Sequence, residues 1–133
     1  ETSHDEVDGK KRGKNIVYVY TLDGIRFAHM GDLGHVPTEA QVKAIGKVDV
    51  LMVQVGGFYT VDAKEALETI AKIKPRVVVP MHFKFGGLKL PIAPLSDFLG
   101  ELPDSTEVRE VGSEIDFEAD DLPEKMEIWV FSI

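Results

Sequence analysis

The chain has 133 residues, enough for one small α/β domain, and its 44% hydrophobic and 29% charged residues exclude the composition of a disordered segment. A formal charge of −8, with no basic run longer than Lys10-Lys11-Arg12, argues against a nucleic-acid partner. Cysteine is absent, which excludes disulfides and thiolate ligands, so a transition-metal site here must use imidazole and carboxylate.

No apolar stretch approaches the roughly 20 residues of a spanning helix, and Glu1-Thr2-Ser3-His4-Asp5 lacks the basic-then-apolar form of a signal peptide. A soluble, cytoplasmic protein with no membrane partner is expected. Side-chain amides occur only at Asn15, Gln41 and Gln54 while Glu and Lys are frequent, a composition that leans toward a heat-loving source.

In chain order, the β-branched and aromatic run Asn15 to Leu22 predicts a strand, Asp23-Gly24 a two-residue hairpin turn, and Ile25 to Met30 its antiparallel partner. Gly31-Asp32-Leu33-Gly34-His35 breaks the pattern, and Thr38-x-x-Gln41 is a capping box opening a short helix to about Ile45, which Gly46 ends. Val48 to Val55 is an almost unbroken apolar run of the kind buried on both faces, stopping at Gly56-Gly57. A helix follows from Asp62, with Ala63, Ala66, Leu67, Ile70 and Ala71 at helical spacing, until Pro75 closes it before a strand at Arg76 to Pro80. Beyond it, a short helix is expected over Pro94 to Leu102, and strands over Glu107 to Val111 and Lys125 to Phe131. Strand, crossover helix and strand in this order call for parallel pairing in a layered α/β fold.

Three of the four histidines, and one aspartate, sit where a segment changes character, and strand ends are where α/β sheets gather reactive side chains. Asp32 follows a strand directly between Gly31 and Gly34; it is either a ligand or a turn aspartate bonded to nearby amides. His82 ends the Val77-Val78-Val79-Pro80-Met81 strand, as a ligand or as a half-buried histidine satisfied by backbone. His4 lies beside Asp5 near the terminus, where a frayed, solvated end is the alternative. No Ser-His-Asp order, nucleophile elbow or phosphate-loop spacing appears, leaving imidazoles and carboxylate suited to zinc, manganese or iron.

Taken together, Thr-Ser-His4-Asp, then Ile-Arg-Phe-Ala-His-Met-Gly-Asp32-Leu-Gly-His35, then Val-Asp-Val-Leu-Met-Val-Gln-Val-Gly-Gly, then Val-Val-Val-Pro-Met-His82-Phe-Lys resemble the second half of metallo-β-lactamase-fold hydrolases. The resemblance runs to about Phe98 and is nearest the branch that includes ascorbate-phosphate lactonase and Zn-dependent hydrolases. It implies that residues 1–133 form one C-terminal half-domain of a four-layer αββα fold, a mixed sheet with covering helices.

For the site, the resemblance implies His4 as the single histidine opening the second half, Asp32 as the carboxylate bridging two metals, and His82 as the last ligand of the second metal. His35 resembles a branch feature near the pocket, acting through another residue or on substrate. These residues are expected to converge within one metal-site radius, holding two zinc ions, with manganese or iron as alternatives. The family's His-x-His-x-Asp-His cluster has no counterpart here, so the missing N-terminal half is expected to supply it, and the chain alone is expected to be inactive. The implied reaction is attack of metal-activated water on an ester, lactone or phosphoester, with Lys84 or Lys89 attracting a small anionic substrate. Because the helices over 38–45 and 62–73 can cover only one face of the sheet, the other face is expected to bury against the missing half or a second copy. The rival reading is a non-catalytic binding or assembly module without metal.

Overall fold

The run from Asn15 to Leu22 divides in two, because Asn15 turns its amide inward, its Nδ2 donating to Thr2 Oγ1 and to the Met30 carbonyl, each at 2.8 Å. In the computed structural model, which describes residues 1–132, Thr2–Ser3 (β1) pairs antiparallel with Lys14–Asn15 (β2), and the next strand begins only at Tyr18 (β3, Tyr18–Leu22). The expected hairpin then forms: Asp23 and Gly24 adopt φ of 47° and 79°, and Leu22 faces Ile25 at the start of β4 (Ile25–His29).

The first two helices start where capping chemistry requires. In α1 (Glu39–Ile45) the Thr38 hydroxyl accepts the Gln41 N–H while Gln41 Oε1 accepts the Thr38 N–H. After β5 (Val50–Gln54), Asp62 and Glu65 cap α2 (Ala63–Ile73) in the same reciprocal way, and Lys74 in the left-handed region ends it before Pro75. The chain continues through β6 (Val77–Met81), α3 (Leu95–Glu101), β7 (Glu107–Gly112), a short 3-10 turn at Ala119–Asp121, and β8 (Glu127–Phe131).

Six strands form one mixed sheet in the order β3-β4-β5-β6-β8-β7, antiparallel only between β3 and β4. All three helices contribute to one face, where Ile45, Ala66, Ile70, Ile73 and Phe98 pack on Leu51, Val53, Val55, Val78 and Ile128. The opposite face is not bare, contrary to the expectation from helix count. Residues 115–122, which carried no strong pattern in the sequence, fold back over it. Phe117 lies 6.4 Å from the Phe27 ring and 5.0 Å from that of Trp129, and Leu122 joins Ile25, Val50 and Val77. Arg76 fastens the segment through its Nε–H to the Pro123 carbonyl at 2.8 Å. Toward the β3 edge, Tyr18, Tyr20 and Leu22 stay exposed.

Pro80 in the middle of a sheet looks out of place until the pairing is followed. Val77 N–H and the Met81 carbonyl both bond toward β5, so by alternation the missing Pro80 donor lies on the β8 side. There the β6–β8 ladder extends only through Val77 and Val78, and the strands part beyond it. Among the described residues no helix is long and apolar enough to cross a membrane.

Phe98 is fully buried and carries α3 onto the helix-side core. Phe98→Ala should lower the unfolding free energy by about 3–5 kcal/mol, measured by urea denaturation, with an unchanged β-sheet signal in circular dichroism at zero denaturant.

Candidate metal centre

Because β4, β5 and β6 are parallel, their carboxyl ends share one edge, and the loops leaving that edge carry Asp32, Gly56-Gly57 and His82. The loops are stitched together by backbone: Val61 N–H donates to the Leu33 carbonyl at 2.9 Å, Ala93 N–H to that of Gly56 at 2.8 Å, and Lys84 N–H to that of Ala93 at 2.9 Å.

His4 reaches this edge through a second contact. Gly34 N–H donates to the Ser3 carbonyl at 3.0 Å, and a Cβ at Gly34 would run into the backbone of His4 and Asp5. The same device recurs at His82, whose carbonyl lies against Gly56 so closely that any Cβ there would collide with it. His82 itself has φ of 56°, a left-handed conformation that non-glycine residues seldom adopt and that often accompanies functional strain.

The two expected ligands of the shared edge differ in setting. Asp32 is exposed, and its N–H donates to Asn15 Oδ1 at 2.8 Å while its carboxylate has no hydrogen-bond partner among the described residues. It lines a cleft of about 400 Å³ together with Lys14, Tyr18 and His29. His29 had no role assigned from sequence; its Nδ1 accepts the Gly31 N–H at 3.0 Å, which leaves the ring proton on Nε2. His82 is half-buried and lines a separate apolar cleft of about 430 Å³ with Met81, Phe85, Leu90 and Phe131, in the gap that Pro80 opens. Its Nδ1 lies 3.3 Å from Thr60 Oγ1.

Convergence is looser than the resemblance implies. Among the described residues no three His, Asp or Glu side chains are grouped to hold one ion. The reason is the sheet itself: Asp32 follows β4 and His82 follows β6, two strand spacings or roughly 10 Å apart. His35 is further committed to backbone. Its Nε2 accepts the Ser3 N–H at 3.3 Å, so Nδ1 carries the proton and donates to the Val36 carbonyl at 2.9 Å. With both nitrogens engaged, His35 braces the strand that carries His4 and offers no lone pair to a metal or substrate in this arrangement. Lys84 and Lys89 are exposed and form no ion pair among the described residues, whereas Lys14 is paired with Asp8 at 3.1 Å.

Sequence reading passed over Asp5. Its fully buried carboxylate accepts four backbone N–H groups at 2.7–2.9 Å, from Val7, Gly9, Lys11 and Arg12, and so ties residues 5–12 into a closed loop behind His4. Burial works against the charged form, but the four amides outweigh it and hold the carboxyl at about 2. The signal was present in an aspartate followed by a Gly-containing, strandless stretch. Gln54 is a second omission: it is fully buried and neither amide atom has a partner among the described residues. A lone amide in an apolar strand was the visible cue.

The fold is that of the metallo-β-lactamase class. The chain belongs to that superfamily, since the model of the beta-lactamase superfamily domain matches residues 1–82, more than half of it. A solved structure from Thermotoga maritima, described as a Zn-dependent hydrolase of the metallo-beta-lactamase superfamily, is similar with a TM-score of 0.79 and 44% identity, over 90% of this chain and 59% of that one. A UPF0173 protein of Pyrococcus furiosus is 42% identical over 65 residues, 48% of this chain and 30% of its own length. A UPF0173 metal-dependent hydrolase of Thermococcus onnurineus is 37% identical over 82 residues, 60% of this chain and 37% of its own length. The chain thus matches about a third of the length of these curated relatives and over half of the solved structure.

The Asp5 cap sets a pH dependence. A carboxyl held near 2 against an ordinary value of 3.8 contributes stability that is fully present above about pH 4 and is lost as the pH falls through 2. Asp5→Asn, which cannot accept all four bonds, should therefore be less stable than wild type by a constant margin above pH 5. That margin should shrink between pH 4 and pH 2 in thermal melts followed across the range.

Proposed function

We propose that this chain is part of a metal-dependent hydrolase that cleaves an ester, lactone or phosphoester, with His4, Asp32 and His82 as its contribution to the metal ligands. The observation that carries the reading is the common edge at which β4, β5 and β6 deliver Asp32 and His82, with His4 seated against Gly34 beside them. The donor chemistry suits zinc, manganese or iron: one carboxylate without a partner, and imidazoles on His4 and His82 whose Nε2 atoms have no partner among the described residues.

The spacing favours two ions over one. Donors on either side of a single zinc lie about 4 Å apart, whereas ions about 3.5–4 Å from each other extend the reach to roughly 8 Å, closer to the separation of β4 and β6. A divalent metal bound there supplies Lewis-acid polarisation and an acidic water near neutral pH. Asp32, exposed and without a side-chain partner among the described residues, would help hold the metal together with His4 and His82, while His35 keeps Ser3 and thereby His4 in register. Lys84 and Lys89, exposed and next in sequence to residues that line the cleft at His82, would favour an anionic substrate.

The remaining ligands come, in this reading, from a segment with the His-x-His-x-Asp-His pattern, either in a longer form of the protein or in a separate chain. That segment also covers the exposed β3 edge at Tyr18, Tyr20 and Leu22, a task a second copy of this chain can perform in its absence. Metal analysis of the protein carrying that pattern should find close to two equivalents of zinc, manganese or iron. Asp32→Ala should lower hydrolysis of ester, lactone and phosphodiester probes at least 100-fold, with its thermal midpoint unchanged in the metal-free state. Wild-type turnover in that variant, or a wild-type protein that retains no metal, sinks the reading; the second result favours the non-catalytic binding module.

A further inference from the structure

We infer that Thr60 is a positioning residue that fixes the tautomer of His82, accepting the Nδ1–H so that Nε2 presents its lone pair to the cleft. The inference rests on the proposed ligand role of His82 for its purpose, though the hydrogen bond stands apart from it.

Thr60 Oγ1 is the sole hydrogen-bond partner of the His82 ring among the described residues, at 3.3 Å from Nδ1. Nε2 makes no such bond among the described residues, and His82 lines the open cleft at the end of β6. A neutral imidazole carries one ring proton, so whichever nitrogen faces Thr60 decides what the other can do. If Thr60 accepts, Nε2 is a ligand; if it donates, Nε2 carries a hydrogen and cannot bind a cation. A ligating histidine of this kind gives its second N–H to an oxygen acceptor, and losing that acceptor costs about 10–100-fold in metal affinity.

Thr60 is well placed to act this way because its position is over-determined. It is only 8% exposed. Gly57 N–H bonds the Val61 carbonyl at 3.1 Å and Tyr59 N–H that of Gly57 at 2.8 Å, closing a turn in which Gly57 and Phe58 are both left-handed. Val61 N–H then anchors the turn to Leu33, next to Asp32, and Asp62 starts α2 at once. The β-branched side chain has few rotamers to lose. His82 is held independently, its carbonyl against Gly56 and the chain beyond it tied through Lys84 to Ala93. Neither partner needs the other for its backbone position, so their hydrogen bond governs the ring and little else.

The test is the ring itself. Long-range proton–nitrogen correlation on histidine-labelled, metal-free protein at a pH where the imidazoles are neutral reads the tautomer of each ring, with His82→Gln assigning the resonances. Wild type should show His82 protonated at Nδ1. Thr60→Val, which keeps the shape and removes the acceptor, should move a large fraction to the Nε2–H form, and Thr60→Ser should restore the wild-type state. In the protein with its full ligand set, zinc affinity measured by chelator competition should fall about 10–100-fold in Thr60→Val and recover in Thr60→Ser. An Nε2–H form of His82 in wild type overturns the inference without need of any variant, as does an unchanged tautomer in Thr60→Val. A tautomer that shifts as described while no form of the protein binds zinc, manganese or iron supports the Thr60 role and overturns the metal reading.

Discussion

Parallel pairing of β4, β5 and β6 is the constraint from which the rest of the molecule follows. Parallel neighbours need a crossover, the crossovers here contain α1 and α2, and both must lie on a face of the sheet to bury Ile45 and the Ala66, Ile70, Ile73 stripe. The same pairing sends three consecutive strands out at one edge. Asp32 and His82 share that edge because the strands before them point the same way, with a whole strand between them.

That intervening strand runs out into Gly56, whose role is steric. Gly56 and Gly34 each remove a side chain where another backbone must pass, and the two backbones that pass are those of His82 and His4. Donor placement therefore rests on main-chain contact, which is stiffer than contact between side chains. Asp5 adds the same kind of restraint from behind, using one carboxylate to gather four amides that would otherwise lack partners.

Local rules were legible where a single residue type decides the backbone. Asp23-Gly24 predicted its turn and Thr38-x-x-Gln41 its helix start, because positive φ and capping geometry restrict the choice sharply. The break at Ile16 was hidden because it depends on Asn15 reaching Thr2 and Met30, partners up to 15 residues away. Residues 115–122 were likewise opaque, since Phe117 and Leu122 have neither helical nor alternating spacing and gain their meaning from Phe27 and Trp129 across the sheet. The site shows the same division. Strand ends pointed to Asp32 and His82, whereas the capture of His35 by Ser3 and Val36 and the pairing of Thr60 with His82 are tertiary events.

The parting of β6 from β8 beyond Val78 gives the sheet two mechanical regimes. At the amino ends of β4, β5, β6 and β8 each strand is laced to its neighbours, and shear there loads several ladder bonds at once. Past Val78 the lacing between β6 and β8 is absent, so Met81 and Phe131 line opposite sides of an open seam. Widening that seam costs contacts between apolar walls but no backbone hydrogen bonds. Bodies of different width can then be accommodated at the seam by elastic opening of its lips, while the laced end keeps the register of every strand unchanged.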